Sequence, residues 1–235
     1  MHIYAIADLH LSGTPPTKPM EIFGEHWAGH KEKLQINWLH TVKAEDYVII
    51  AGDISWAMHL EEAAPDLEWL AQLPGRKILL RGNHDYWWSS LKKMRELYGD
   101  KFIFLQNDST LVLLEDGRKV AVCGTRGWIL PSAEKFTEED KKIYQREGIR
   151  MELGLQQALK EEPDVLIQAL HYPPFFSPEE ETVFSSIMEK HRVNYCVYGH
   201  IHGENHILTY EGERAGIQYK LVSCDTQDFM LYQIL

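Results

Sequence analysis

The sequence predicts an α/β fold in which short buried strands alternate with helices, giving a mainly parallel sheet within a two-sheet core. Three observations predict it. Apolar runs of strand length recur along the chain and stop abruptly at polar residues. Stretches with helical periodicity fill the gaps between the early runs, which is the pattern of βαβ units. Hairpin signals interrupt the alternation in the second half, so antiparallel pairing joins the parallel pairing.

Each element follows in order. "HIYAIA" (2–7) is a strand, followed at once by Asp8 and His10. "LSGTPPTKPMEIFGEHWAG" (11–29) is rich in Pro and Gly, has no period and reads as a long loop. Leu34, Trp38, Leu39 and Val42 give 30–43 one apolar helical face. "YVIIAGD" (47–53) is a second buried strand, ending in a carboxylate. "PDLEWLAQL" (65–73) is helical, and Pro65 suits a helix start. "KILLRGNHD" (77–85) is a third strand ending in polar groups. The helix 89–99 is closed by Gly99, and Tyr86, Trp87 and Trp88 read as its aromatic packing. A hairpin is centred on Asp116-Gly117 (109–124), and a long amphipathic helix (137–162) has Thr137 as its N-cap. "DVLIQALH" (164–171) and "NYCVYGHIHG" (194–203) are further buried strands with polar ends, and 216–235 reads as two antiparallel strands. No repeat, low-complexity tract or linker divides the chain, so one domain over 1–235 is expected.

The totals exclude several classes. A chain of 235 residues with 44% hydrophobic and 25% charged residues supports an ordinary core in a single α/β domain. A formal net charge of -11 lacks the basic footprint of a nucleic-acid binder, although bound cations would change the local sign. Cys123, Cys196 and Cys224 are far apart, in apolar contexts and without a C-x-x-C pair. They read as buried free thiols, in keeping with a reducing compartment. No apolar run approaches the roughly 18 residues that span a bilayer, and no basic-then-apolar leader is visible. A cytoplasmic protein with no membrane partner is expected. The 12 histidines are many for this length, and they are unevenly placed.

Collected by position, the strand ends are Asp8-x-His10, Gly52-Asp53, Gly82-Asn83-His84-Asp85, His171 and Gly199-His200-x-His202. In a parallel sheet these ends share one edge, where ligands of α/β folds bind. Residues i and i+2 of an extended segment point the same way, roughly 6–7 Å apart. Asp8 with His10, and His200 with His202, can therefore converge on a cation. The preceding glycines allow tight turns and close backbone approach. Oxygen and imidazole donors without thiolate suit Mn, Fe, Zn, Co or Ni better than Ca. Seven candidate ligands exceed the three protein ligands common at a catalytic zinc, so two divalent cations about 3.5–4 Å apart are expected, and a carboxylate such as Asp53 can bridge them. Each block alone is a turn, a cap or a core histidine. All five in order on strand ends are not.

Together the blocks resemble the calcineurin-like metallophosphoesterase family, whose signature is D-x-H, G-D, G-N-H-[DE], a strand-end H and G-H-x-H. Here they stand as "DLH", "GD", "GNHD", the His of "LHYPP" and "GHIH", from residue 8 to residue 202. The resemblance implies a four-layer α/β/β/α sandwich of two mixed β-sheets flanked by helices, with a dinuclear metal site at one edge. It implies that Asp8, His10, Asp53 and His202 bind one cation and Asp53, Asn83, His171 and His200 the other, with manganese the first expectation. His84 is then no ligand but lies beside the cations, donating a proton to the leaving oxygen or stabilising charge. With His84 and Asp53 as catalytic residues, the implied activity is hydrolysis of a phosphodiester or phosphomonoester by hydroxide activated at the metals, on a small-molecule substrate.

Substrate contacts are expected from Arg81 and Arg126, both placed to reach a phosphate, and from His26 and His30 on the loop after His10. Asp85 is expected at the helix start or bonded to a histidine rather than as a ligand. One branch of the superfamily is disfavoured. Protein serine/threonine phosphatases carry G-D-x-x-D-R-G, whose second Asp partners the catalytic His. Here "GDISWAM" puts Trp56 in that place. The rival readings are a nuclease of the same superfamily and a non-catalytic scaffold. The first requires a basic track and the second predicts gaps among the ligands.

Overall fold

The structure, a computed structural model, describes residues 1–13 and 15–235. In chain order the strands are β1 (Ile3–Ile6), β2 (Tyr47–Ile50), β3 (Arg76–Leu79), β4 (Phe102–Phe104), β5 (Ser109–Leu113), β6 (Lys119–Thr125), β7 (Val165–Leu170), β8 (Tyr195–Tyr198), β9 (Gly212–Arg214), β10 (Ile217–Leu221) and β11 (Tyr232–Gln233). The helices are α1 (His30–Thr41), α2 (Leu60–Gln72), α3 (Leu91–Tyr98), α4 (Glu138–Leu159) and α5 (Val183–Lys190). None is long and apolar enough to cross a membrane.

Two sheets form, in the orders β11-β1-β2-β3-β4 and β5-β6-β7-β8-β10-β9. The first has a parallel run β1-β2-β3-β4 with one antiparallel edge strand, β11, and the second a parallel run β6-β7-β8-β10 with antiparallel strands β5 and β9 at both edges. Side chains alternate between the two faces of each strand. In the first sheet Ile3, Ala5, Ile49 and Ile78 face the second sheet, meeting Val120, Val122, Ile167 and Val197. Their neighbours Tyr4, Ile6, Val48, Ile50 and Leu79 face outward beneath α1–α3. On the far side Ala121, Cys123, Leu166 and Cys196 pack under α4 and α5. The four layers are the expected α/β/β/α sandwich of mixed sheets, and all three cysteines are free and buried. A bridge from Ala7 to Ser223 joins the sheets beside the site.

Four expectations are corrected. The last two strands do not pair with each other. β10 lies between β8 and β9, whereas β11 crosses to the other sheet and pairs with β1. Pro65 lies inside α2, which opens at Leu60, where the Glu62 carboxylate accepts hydrogens from the Met58 and His59 amides (3.0 and 3.3 Å). An exposed proline forfeits the bond back to Glu61, but Leu60, Ala63, Leu67 and Leu70 bury the opposite face. Leu39 is 54% exposed, because five residues on from Leu34 the helix has turned away from the core. The loop 11–29 holds two short 3-10 turns, Met20–Phe23 and Glu25–Trp27. β4, β9 and α5 escaped prediction; each is short, and "GER" in β9 carries no apolar residue.

Candidate metal centre

The carboxyl ends of both sheets meet at one edge. β1, β2 and β3 deliver Asp8, His10, Asp53, Asn83 and His84, while β6, β7 and β8 deliver Arg126, His171, His200 and His202. The backbone here is unlike ordinary strand. Asp8, His10, Asp53 and His200 all have left-handed φ, at 61°, 45°, 51° and 75°. Such conformations are costly for side-chain-bearing residues and cluster at functional sites. The expected i, i+2 convergence of Asp8 and His10 therefore comes from two residues with left-handed φ, not from extended alternation. The β1 end is held to the β2 end by Asp8 N–H to Gly52 O (2.9 Å) and His10 N–H to Asp53 O (3.0 Å).

Two glycines permit the close approach. A Cβ on Gly82 would collide with the Asp53 backbone nitrogen and carboxylate, and one on Gly52 would lie 2.7 Å from His171 Nδ1. Gly52 also has a φ of 93°. Asp85 fixes the same two loops. Its buried carboxylate accepts from the backbone N–H of Asp53, Ile54, Ser55 and Gly82 and from the Trp87 indole, at 2.7 to 3.2 Å. Asp85 thus locks the Gly-Asp turn onto the Gly-Asn-His-Asp turn and bonds to no histidine among the described residues. Burial and the nearby Asp53 charge push its pKa up, against the Gly82, Ser55 and Ile54 amides.

The ligand-type atoms converge. One atom each from Asp8, His10 and His202 lies within 4.8 Å of the others, and so do atoms of Asp8, Asp53 and His171. His10 Nε2 faces His202 Nε2 at 3.2 Å. His171 Nε2 is 2.6 Å from Asn83 Oδ1 and 3.5 Å from Asp53 Oδ2, and Asp53 Oδ2 is 3.9 Å from His10 Nε2. Asp53 stands between the two groups, with its other oxygen accepting the His84 N–H (2.8 Å). His200 differs. Its backbone N–H donates to Asp8 Oδ2 (2.9 Å), while its ring packs on Tyr172 (4.2 Å) and edge-on to His171 (5.1 Å). It lines the cavity beside both groups without entering either.

The charges at this edge are uneasy. Burial pushes the Asp8 carboxyl up to about 7 against the pull of His202, and Asp53 up to about 6 against the His84 amide. Burial drives His171 down to about 3 and His200 to about 2. Among the histidines of this edge His202 is the one that rises, to about 9: burial lowers it, but the Asp8 and Asp225 carboxylates outweigh that. Asp8 Oδ1 is buried and accepts no hydrogen bond. An acceptor-only oxygen, the neutral imidazoles of His10, His171 and His200 and a crowded pair of carboxylates form a donor set that fits divalent cations, which would displace the proton of His202.

The other candidates sit at different distances. His84 lines the cavity with its ring 4.4 Å from Trp56, the residue in place of the phosphatase Asp, and its Nδ1 is buried without a partner. His26 lines the same cavity, its Nε2 3.8 Å from Asp225 Oδ2. His30 does not line it. It is buried one layer behind, its ring edge-on to Trp27. Arg126 stacks over Trp128 (4.3 Å) and adds positive charge felt by Asp53 and His171. Arg81 stands close enough to repel it electrostatically, and Arg81 Nε is buried without a partner. Trp87 and Trp88 are core residues as expected, whereas Tyr86 is 51% exposed.

Sequence reasoning missed Asp225. It accepts from His202 Nδ1 (2.9 Å) and from the Gly203 N–H (2.9 Å), with its side chain 1% exposed. It ends the run "IQYKLVSCD" after β10, so the strand-end rule that picked Asp8 would also have picked it.

A family model described as calcineurin-like phosphoesterase matches residues 1–204. A search of curated proteins finds no match in sequence. Among solved structures, TT1561 of Thermus thermophilus is 13% identical with a TM-score of 0.56, covering 99% of this chain and 97% of that one. The calcineurin-like phosphoesterase YfkN of Bacillus subtilis is 15% identical with a TM-score of 0.52, covering 96% and 82%. AQ665 of Aquifex aeolicus, described as a protein of unknown function, is 18% identical with a TM-score of 0.50, covering 99% and 95%. At such identities the structures speak for the fold alone. The family model spans most of the chain and all five strand-end blocks, and on that ground the chain belongs to the calcineurin-like phosphoesterase family.

Proposed function

We propose that this chain is a metal-dependent phosphohydrolase acting on a small-molecule phosphodiester or phosphomonoester. Asp8, His10, Asp53 and His202 would hold one divalent cation and Asp53, Asn83, His171 and His200 a second, manganese being the first candidate. The observation that carries the reading is the buried Asp8 Oδ1, which has no hydrogen-bond partner and lies 3.6 Å from His202 Nε2 and 3.9 Å from His171 Nδ1. A buried carboxylate oxygen left so is costly unless a cation meets it.

When bound, the cations supply a water of lowered pKa and neutralise the phosphate. The chain's own residues do the rest. Asp53 stands between the two ligand groups and, through its Oδ1, ties the His84 backbone to them. His84 has a buried Nδ1, which leaves Nε2 to hold the proton for the leaving oxygen. Packing against Trp56, not an acidic partner, sets its ring, which supports a small-molecule esterase over a serine/threonine phosphatase. Arg126 places a positive charge beside the phosphate position, and Asn83 contributes an oxygen without adding another negative charge. A net charge of -11 weighs against a nuclease.

The test is hydrolysis of bis(p-nitrophenyl) phosphate by metal-stripped protein, with and without manganese. The expected result is manganese-dependent turnover, abolished in Asp53→Asn and cut by about 10²–10⁴-fold in His84→Ala. Folded protein that cleaves neither this diester nor p-nitrophenyl phosphate with any of the candidate metals would overturn the proposal and favour a non-catalytic member.

A further inference from the structure

The two sheets end in four edge strands, and three of them are blunt. β4 and β9 have three residues each and β11 has two, and β9 carries Glu213 and Arg214. Short length and charge are the usual guards of an open edge. β5 has neither guard. It has five residues, "STLVL", with no charge and no proline.

Its backbone and side chains both face outward in a regular way. The Leu114 N–H donates to Arg118 O (2.9 Å), so this end of the hairpin turns even-numbered residues towards β6. Alternation then turns the N–H and C=O of Ser109, Leu111 and Leu113 to the open edge. The same three residues put their side chains on the α4 side of the sheet, since Leu111 pairs with Ala121 while Val112 points between the sheets. Leu111 is 40% exposed and Leu113 is 61% exposed. Beside them a groove of about 280 Å³ runs under α4, lined by Ser109, Leu111, Ala121, Gln157, Ala158 and Glu161.

The strand matches itself. In an antiparallel pairing about a two-fold axis at Leu111, Leu111 meets its own counterpart and Ser109 meets Leu113. All three outward residues then exchange both backbone bonds across the axis. Residues directly opposite share a face, so Leu113 of each copy lies over Ser109 of the other, at the mouth of the groove. A large apolar side chain thus meets a small residue twice. Charge agrees with this register. Arg95 donates to Phe104 O (2.8 Å) and to the Asp108 carboxylate, which puts its partly exposed guanidinium over the segment before β5. Glu115, exposed and 3.3 Å from the N-terminal ammonium, follows β5. The register sets Asn107 opposite Glu115, which brings Arg95 of each copy towards Glu115 of the other.

We propose that β5 is a self-association edge: a second copy of this chain pairs with it antiparallel, centred on Leu111, and joins the two six-stranded sheets into one. The contact is small, so the dimer is reversible rather than obligate. The pairing is independent of the phosphohydrolase reading.

Sedimentation of the full chain over a range of concentrations tests it. The expected result is a reversible shift from 27.3 kDa to twice that mass as concentration rises. Leu113→Lys should weaken the dimer by at least about tenfold, because two symmetric contacts are lost at once. Its melting temperature in dilute solution should stay that of the wild type. Cross-linking reads the register. Cys123, Cys196 and Cys224 are buried, so a short bismaleimide acts on an introduced surface thiol. Leu111→Cys should cross-link to its counterpart. Leu113→Cys should not, because its counterpart lies four residues along the strand, roughly 14 Å away. A chain that stays monomeric at high micromolar concentration would overturn the proposal. So would a dimer unaffected by Leu113→Lys, or Leu113→Cys cross-linking as readily as Leu111→Cys.

Discussion

The space between the two sheets and the edge where their strands end are a few residues apart and obey opposite rules. Between the sheets, Ile49, Ile78, Val122, Ile167 and Val197 are fully or almost fully buried and bring no polar side-chain atoms. At the edge, Asp8, Asp53, Asp85 and His171 are just as buried, yet each is a titratable group. Asp85 is answered by five hydrogen-bond donors, whereas Asp8 Oδ1 is answered by none. The difference teaches that the interior stabilises the fold by packing, while the edge keeps titratable groups buried together, one carboxylate oxygen among them without a donor.

The largest effect should come from the interior. Ile167→Ala removes packing between the sheets and should cost about 2–5 kcal/mol of stability, read by urea unfolding. The loss should be the same with and without manganese. A loss that depended on the metal would mean that the two regions are not separable.

The edge should answer with the opposite sign. Asp8→Asn removes one of two crowded buried carboxylates and gives the bare oxygen position a donor. Chelator-treated protein should gain about 1–3 kcal/mol, the scale of an unsatisfied buried polar group. Manganese should raise the melting temperature of the wild type by more than that of the variant, which keeps the ligands of the second proposed cation. Loss of stability in Asp8→Asn without metal would break the comparison.

Much of this edge was legible in the sequence because its residue types are discrete and its strand ends are abrupt. Asp8, His10, Asp53, Asn83, His171, His200 and His202 were singled out by that signal, and the structure brings them to one edge, with His200 beside the two ligand groups rather than in them. What the sequence could not show was how they converge, since the left-handed φ of four of them leaves no mark in residue type. Nor could it place β10 and β11. Both read as apolar strands near the end of the chain, and only the tertiary fold sends one to each sheet. His30 looked like a second loop histidine beside His26, but Gly29 starts α1 there and turns it inward.

Asp225 sharpens the comparison, because it belongs to the edge yet touches no cation position. Its contact with His202 Nδ1 sets that ring's orientation and leaves Nε2 facing Asp8. Asp225→Asn should weaken manganese binding about 10–100-fold, the usual effect of losing a carboxylate behind a ligating histidine. Calorimetric titration reads it directly. Unchanged affinity would make Asp225 a loop anchor through Gly203 only.

The smallest effect lies far from both regions and serves as their control. Glu152 of α4 accepts from Lys190 Nζ (2.7 Å) and from His191 (2.9 Å) at the end of α5. The Lys190 hydrogen bond, helped by His191 and Gln156, holds its carboxyl down at about 2, against burial and below the usual 4.5. A carboxyl whose pKa is lower folded than unfolded stabilises the fold above the unfolded value, and that contribution fades as pH falls towards the folded one. Glu152→Gln should therefore cost about 0.2–1 kcal/mol near pH 7, as a largely surface ion pair does. The gap between wild type and variant should close between pH 4.5 and 2, the span separating those two values. Because the clasp joins two helices outside the second sheet, manganese should not alter the gap. A gap that persisted at pH 2 would assign Glu152 to packing, and one that moved with manganese would tie the α4–α5 layer to the edge.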